Sequence, residues 1–153
     1  MYTHLRQGKR RYRKGYGQKR GGIRDAVSIE LRPAVVDERE RLGDWEADLV
    51  LGKQGTGAIV TLAERKSCIY LTKKVFSKDA VEVSNAIISL LSDYKDVCHT
   101  ITFDNGLEFS EHKEIAKALE AEMYFAHPYA SYERGLNETL TGFYGSIFRR
   151  ERT

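Results

Sequence analysis

Trp45-Glu46-Ala47-Asp48-Leu49-Val50-Leu51 reads as a β-strand whose apolar pattern is broken on one face by Glu46 and Asp48. A polar loop, Lys53 to Gly57, leads into a second apolar run, Ala58 to Glu64. A turn at Arg65 to Ser67 leads into a third, Cys68 to Phe76. Three runs joined by short polar connections predict an antiparallel meander. Val81, Ala86, Ile87, Leu90 and Leu91 then recur at helical spacing, which predicts a helix over 78–93 with Ser77 as its N-cap. His99 to Phe103 is a short β-branched strand, Glu111 to Ala121 a second amphipathic helix, and Met123 to Ala126 a fifth strand closed by Pro128. A third helix is expected from Ser131, with Leu136, Leu140, Phe143 and Tyr144 on one side. The order βββαβαβα is an α/β layer fold, a mixed five-stranded sheet covered by helices.

Outward from this body, the chain has 153 residues and 17.5 kDa, the size of one domain. No run approaches 18 apolar residues, so a membrane span is not expected, and the first 24 residues lack the apolar core of a secretory signal. Two cysteines, Cys68 and Cys98, make a disulfide framework improbable and a reducing cytosolic location the default. The net charge of +3 is unevenly spread: residues 1–24 carry nine Lys/Arg and no acid. The remaining 129 residues hold 16 basic and 22 acidic side chains, a net −6. Residues 1–41 therefore read as a basic, glycine-containing arm and linker, with a short edge strand at 27–31 and a linker or turn of helix at 35–41. The body is assigned to 42–153. A basic arm on an acidic body suggests nucleic acid as partner, through Arg6, Lys9, Arg10, Arg11, Arg13, Lys14, Lys19 and Arg20. A solvated tail is the plainer alternative.

Three acids sit where folding alone would not place them. Asp48 interrupts an apolar strand, where an unpaired carboxylate costs several kcal/mol. Asp104 ends the fourth strand, where α/β sheets open their ligand crevices. Glu138 lies near the start of the last predicted helix. Singly, each has an ordinary reading: a strand-edge ion pair, an Asp-Asn-Gly turn and a solvated helix residue. If the first and fourth strands are neighbours, the three converge. Such a cluster repels itself unless divalent cations neutralise it, and hard oxygen donors select Mg²⁺ or Mn²⁺. Two ions about 4 Å apart would activate a water or hydroxyl and stabilise the leaving oxygen of a phosphodiester.

Three separated stretches carry a family pattern: Gly43-Asp44-Trp45-Glu46-Ala47-Asp48-Leu49-Val50, then Thr102-Phe103-Asp104-Asn105-Gly106 with Glu108-Phe109, and Phe125-Ala126-His127-Pro128-Tyr129 with Ser131, Arg134-Gly135 and Asn137-Glu138. They resemble the catalytic core of bacterial transposases of the insertion sequence thirty family, within the retroviral-integrase-like superfamily. Between Asp104 and Glu138 lie 33 residues, the family spacing. Leu5 to Tyr16 and Arg32-Pro33 also resemble the segment that precedes the family core. The resemblance implies an RNase H-like fold in which Asp48, Asp104 and Glu138 hold two Mg²⁺ (or Mn²⁺) ions. It also implies nicking and strand transfer at transposon ends, with DNA as partner and a bacterial cytoplasmic location on the nucleoid. A homo-oligomer is a further expectation. His127, Tyr129, Arg134 and Asn137 fit roles behind the metal ligands or against DNA, each with a local structural role as the alternative.

Two departures qualify that expectation. Family members are about twice this length and carry an N-terminal helix-turn-helix reader, whereas Met1 falls just upstream of the core. After Glu138 the family continues as Asn-x-Asn-Gly and then Arg-Gln-Tyr-Phe-Pro-Lys-Gly, and this chain does not. One coding of residues 138–153, with a single base restored, returns Glu-Asn-Thr-Asn-Gly-Phe-Leu-Arg-Gln-Tyr-Phe-Pro-Lys-Gly-Thr-Asp. Residues 139–153 are therefore expected to be out of frame, in a truncated copy. An inactive remnant that binds DNA through its arm is the alternative function, and an RNase H-type nuclease a weaker third. The nucleotide sequence of the locus checks the frame: downstream of codon 138 the neighbouring frame should spell that motif, and its absence there removes the expectation.

Overall fold

A computed structural model describes residues 22–128 together with 139, 140 and 142. Within them five strands, β1 (Asp44–Leu51), β2 (Ala58–Glu64), β3 (Tyr70–Val75), β4 (Thr100–Phe103) and β5 (Glu122–Phe125), form one sheet in the order β3-β2-β1-β4-β5. β1, β2 and β3 are the expected antiparallel meander, and β4 and β5 add in parallel to β1. The helices are α1 (Ala34–Glu38), α2 (Ala80–Leu91) and α3 (His112–Leu119). The predicted βββαβαβ series is present; of the last predicted helix only Thr139, Leu140 and Gly142 are among the described residues, and they are helical. Among the described residues no helix is long and apolar enough to cross a membrane.

Successive strand residues point to opposite faces, so the sheet separates two kinds of side chain. Trp45, Ala47, Val60, Leu62, Ile101, Phe103, Met123 and Phe125 form one buried apolar face. Against it pack Val83, Ala86, Ile87 and Leu91 of α2 and Ile115 and Leu119 of α3, the one-sided stripes expected of amphipathic helices. Each fully buried Leu or Ile contributes about 2 kcal/mol from apolar surface removed from water. Phe103 anchors this side, its ring 4.8 Å from that of Phe109 and 5.3 Å from that of Phe125. Cys98 is buried and its thiol is pushed up to about 12 by that burial, so it is chemically inert.

The opposite face is polar and partly covered by residues 22–41. The sequence expectation of an edge strand at 27–31 is corrected in detail, and of the two readings of 35–41, a linker or a turn of helix, the structure shows the helical one over Ala34–Glu38. Ser28 makes a single parallel bridge to Phe125, whose N–H donates to the Val27 carbonyl at 2.9 Å. Residues Ile29–Leu31 then turn as a 3₁₀ helix, and α1 buries Val36 completely. Pro33, which has no N–H to leave unsatisfied at a helix start, is the N-cap of α1. The other sheet edge, β3, is guarded by the exposed Lys73 and Lys74.

Two further boundaries differ. The N-cap of α2 is Asp79, not Ser77: its carboxylate accepts from the N–H of Val81 at 3.2 Å and of Glu82 at 3.3 Å. Glu82 is thereby released to accept from the N–H of Phe76 at 2.7 Å and of Ser77 at 3.0 Å. The Ser77 hydroxyl donates to that same carboxylate at 2.6 Å, so the segment before the helix is also pinned. The third strand starts at Tyr70 rather than Cys68, because Cys68 has φ +60° and belongs to the turn.

Gly43 is the residue on which entry to β1 turns. Its φ is +98°, and a Cβ there would lie 1.6 Å from the Val97 carbonyl oxygen. Gly55, at the β1–β2 hairpin, has φ +82° with nothing within 4 Å of the same position. Gly55→Ala should therefore cost only about 1–2 kcal/mol of left-handed strain. Gly43→Ala should cost about 3 kcal/mol or more, because backbone must move as well. Urea titrations of the two variants check this, and equal midpoints would show that the Val97 contact relaxes at no cost.

Candidate active site

β1 and β4 run parallel at the centre of the sheet, with Asp44 opposite Thr100, Trp45 opposite Ile101 and Glu46 opposite Thr102. Each pair differs by 56 in residue number. Continuing that register past the last pair sets Asp48 opposite Asp104, on strands about 4.8 Å apart. Both are half-buried and lie just past the end of the β1–β4 ladder, where β4 finishes and β1 continues to Leu51 against β2. The condition that the first and fourth strands be neighbours is met.

Local backbone orients each carboxylate. Asp48 Oδ1 accepts from the Leu49 N–H at 2.9 Å, and the Asp48 carbonyl accepts from the Thr61 hydroxyl at 3.3 Å. Asp104 follows directly on β4, and its Oδ1 accepts from the Gly106 N–H at 2.8 Å, an Asx turn. The Asn105 side-chain amide donates to the Ala126 carbonyl, and Phe109 is buried against Phe103. The plain turn and the placed carboxylate are thus the same structure: the Asp-Asn-Gly turn sets the orientation of Asp104. Glu108, quoted within the sequence motif but given no role, lies over that turn. A Cβ on Gly106 would meet its carboxylate at 2.5–2.6 Å.

The polar face below the two aspartates holds a charge network, of which only Glu46 stood out in the sequence. The Glu46 carboxylate accepts from the guanidinium of Arg65, whose Nε also donates to the Val36 carbonyl at 3.0 Å. Arg32 donates to the Thr102 hydroxyl at 2.9 Å and to Asp37. Arg41 grips Asp44 with two parallel hydrogen bonds of 2.9 Å, the fork geometry that suits a guanidinium, and the Thr100 hydroxyl donates to Asp44 at 2.8 Å. The bond to Asp44 raises the Arg41 pKa. Burial lowers that of Arg65 and Glu46 raises it in part, far above neutrality for a guanidinium in any case. Glu64, 2% exposed, accepts from the N–H groups of Gly43 at 2.9 Å and Lys66 at 3.0 Å. These partners lie up to 70 residues apart, and no local signal announces them.

Of the residues singled out by sequence, Asp48 and Asp104 each lie two residues past the last β1–β4 pair, and His127 lies beside the N-terminal segment with its Nε2 3.2 Å from Glu30. Glu138, Arg134, Asn137 and Tyr129 lie outside the described residues, as do Arg6, Lys9, Arg10, Arg11, Arg13, Lys14, Lys19 and Arg20. Among the described residues no group of three or more His, Cys, Asp or Glu side chains could hold a metal ion. The two aspartates supply two hard oxygen donors, the chemistry that suits Mg²⁺ or Mn²⁺, and a complete site needs a third.

No family model matches the chain. The transposase for insertion sequence element IS4351 of Bacteroides fragilis is 41% identical over 144 residues, which cover 93% of this chain and 44% of the relative. The transposase InsI for element IS30A of Escherichia coli (strain K12) is 33% identical over 150 residues, covering 96% of this chain and 38% of the relative. The probable transposase for the insertion-like element IS1161 of Streptococcus salivarius is 44% identical over 117 residues, 75% of this chain and 33% of the relative. The chain thus spans less than half the length of these relatives. Among solved structures, the catalytic core domain of BIV integrase superposes with TM-score 0.52 at 21% identity, over 63% of this chain and 62% of that one. A chain of the simian T-cell lymphotropic virus intasome in complex with PP2A regulatory subunit B56 gamma gives 0.65 at 16% identity, over 72% and 41%. These likenesses establish the fold, an integrase-core, RNase H-like sheet. With sequence identity along nearly the whole chain to IS4351 and IS30 transposases, this protein belongs to the insertion-sequence transposase family.

Proposed function

We propose that the chain is the catalytic core of a transposase of the Asp-Asp-Glu type, cutting and joining phosphodiesters at transposon ends, with Asp48, Asp104 and Glu138 as the acidic set. The observation that supports this reading is the β1–β4 register, whose continuation two residues past Glu46 and Thr102 would bring Asp48 across from Asp104. Two carboxylates on neighbouring strands repel, and that repulsion is relieved by a divalent cation between them. Two Mg²⁺ or Mn²⁺ ions bound by the three acids would activate the attacking oxygen and stabilise the leaving one. The backbone amides of Leu49 and Gly106 hold the two carboxylates in fixed orientation while they bind. In the first step water attacks phosphorus and the bond to the 3′ oxygen breaks, leaving a 3′-hydroxyl. In the second, that hydroxyl attacks a phosphorus of target DNA, forming one phosphodiester as another opens. The protein would act where DNA is, on the bacterial nucleoid, and assemble as a homo-oligomer.

The charge of residues 1–24, nine cations and no acid, supports an arm that binds DNA through its phosphates. The same charge favours a second reading, an inactive transposase remnant that binds DNA without cutting it. The two separate on labelled DNA carrying inverted-repeat ends in Mn²⁺. Nicking should be present and should fall more than about 100-fold in Asp104→Asn, beyond what losing an outer partner of a metal ligand costs. Binding without nicking selects the remnant.

Arm binding should be salt-dependent and blind to sequence. Each neutralised phosphate contributes a slope of about −0.9 in log affinity against log salt. Five contacts would lose about 500-fold over a fourfold rise in salt. Replacing the eight arm cations from Arg6 to Arg20 with Gln should flatten that slope on inverted-repeat and random duplexes alike. Undiminished affinity, or a clear preference for the repeat, would assign recognition to the core.

A further inference from the structure

The β1–β4 ladder ends at Glu46 opposite Thr102, two residues short of Asp48 and of Asp104. Whatever clamps that last pair therefore governs how far apart Asp48 and Asp104 can sit. A continuous set of side chains does so across the polar face. Glu46 accepts from Arg65, Arg65 Nη2 lies 3.9 Å from Asp37, Asp37 accepts from Arg32, and Arg32 donates to Thr102 at 2.9 Å. The circuit starts on β1, leaves through α1 and returns on β4. Glu46 and Thr102 are wholly buried, Arg65 is 6% and Arg32 9% exposed, and only the Asp37 side chain, at 61%, meets solvent.

Stability alone does not account for this arrangement. Desolvating ions is costly, and apolar residues of like volume often hold a fold as well or better. The Nε of Arg32 is buried without a hydrogen-bond partner, a further cost. Two guanidiniums are held close on either side of one carboxylate, so the Asp37 charge keeps them from pushing apart. Hydrogen-bonded ion pairs do fix direction and distance, which apolar contacts do not.

We propose that Arg32, Asp37 and Arg65 are positioning residues that lock Glu46 of β1 against Thr102 of β4 and thereby set the Asp48–Asp104 separation for divalent-cation binding. The proposal rests on the assignment of those two aspartates as metal ligands. It makes the segment between the basic arm and the sheet part of the site's framework, since Arg32 and Asp37 both belong to it.

The test uses the full chain and reads Mn²⁺ binding by titration calorimetry, metal-free melting, and nicking. Asp37→Asn changes an exposed side chain with almost no change in shape, so metal-free melting should stay within a few degrees of wild type. Its Mn²⁺ dissociation constant should rise about 10-fold, the size of effect that partners behind metal ligands exert. Asp37→Glu, which keeps the charge, should restore it, and nicking should recover in both variants at saturating Mn²⁺. Arg32→Lys keeps a charge but cannot bridge two acceptors, and should repeat the loss. Wild-type Mn²⁺ affinity in Asp37→Asn and Arg32→Lys, with affinity lost in Asp48→Asn, overturns the clamp and leaves the metal assignment standing. Undiminished Mn²⁺ affinity in Asp48→Asn and Asp104→Asn overturns both. Affinity that falls only in step with metal-free stability shows a purely structural role, which also overturns the clamp.

Discussion

Parallel pairing of β1 with β4 is the constraint from which the remaining structure follows. β1, β2 and β3 can pair through short turns because they are antiparallel, but β4 must return to the side of β1 running in the same direction. That return needs a crossover, and α2 supplies it; α3 supplies the next, from β4 to β5. Crossovers of one hand put both helices on one face, which becomes the apolar core. The other face is left to whatever the chain can bring from elsewhere. The meeting of two aspartates and the polar underside beneath them are thus consequences of one pairing.

A polar sheet face is not a neutral surface to cover. Asp44, Glu46, Thr100 and Thr102 project from it, and burying them without partners would cost several kcal/mol. Arg41 and the Thr100 hydroxyl satisfy Asp44, Arg65 satisfies Glu46, and Arg32 satisfies Thr102. Arginine suits the task because its fork reaches two acceptors at once and stays charged when buried. Gly43 serves the same region from the backbone. Its carbonyl accepts from the N–H groups of His99 at 2.8 Å and Thr100 at 3.3 Å, and its own N–H donates to Glu64. Only a glycine can approach Val97 closely enough to do so.

Much of this was legible from residues near one another in sequence. β2 occupies Ala58–Glu64 as its apolar run predicted, and the helical spacing of Val81 to Leu91 marked α2 correctly apart from its first turn. There Ser77 reads as the cap, whereas Asp79, two residues on, takes that role and Glu82 turns back to accept from Phe76 and Ser77. Asp48 stood out because it breaks a strand, and Asp104 because it ends one. What could not be read was anything closed by tertiary contact. Arg32 and Thr102 are 70 residues apart, and Arg65 looked like a turn residue. The 35–41 stretch reads as a linker or a turn of helix because its charges outnumber its apolar residues; the helix is there, but that charge gives no hint that Val36 is among the most buried side chains. Periodicity reports which face of a local element is apolar; it carries no information about which distant cation a buried acid selects.

The N-terminal segment acquires a different character once those contacts are counted together. It pairs with the β5 edge through Val27 and Ser28, ties to α3 through the ion pair of Asp25 with Lys113, and then crosses beneath the sheet to end in α1. Edge pairing and the exposed ion pair are individually weak, because water competes for both. The buried contacts of Arg32 and Val36 are stronger because water cannot replace them. The segment is therefore fastened most firmly at its C-terminal end, directly under β1 and β4, and most loosely around Asp25 and Val27, so that these outer contacts can open without disturbing the buried ones beneath the strands.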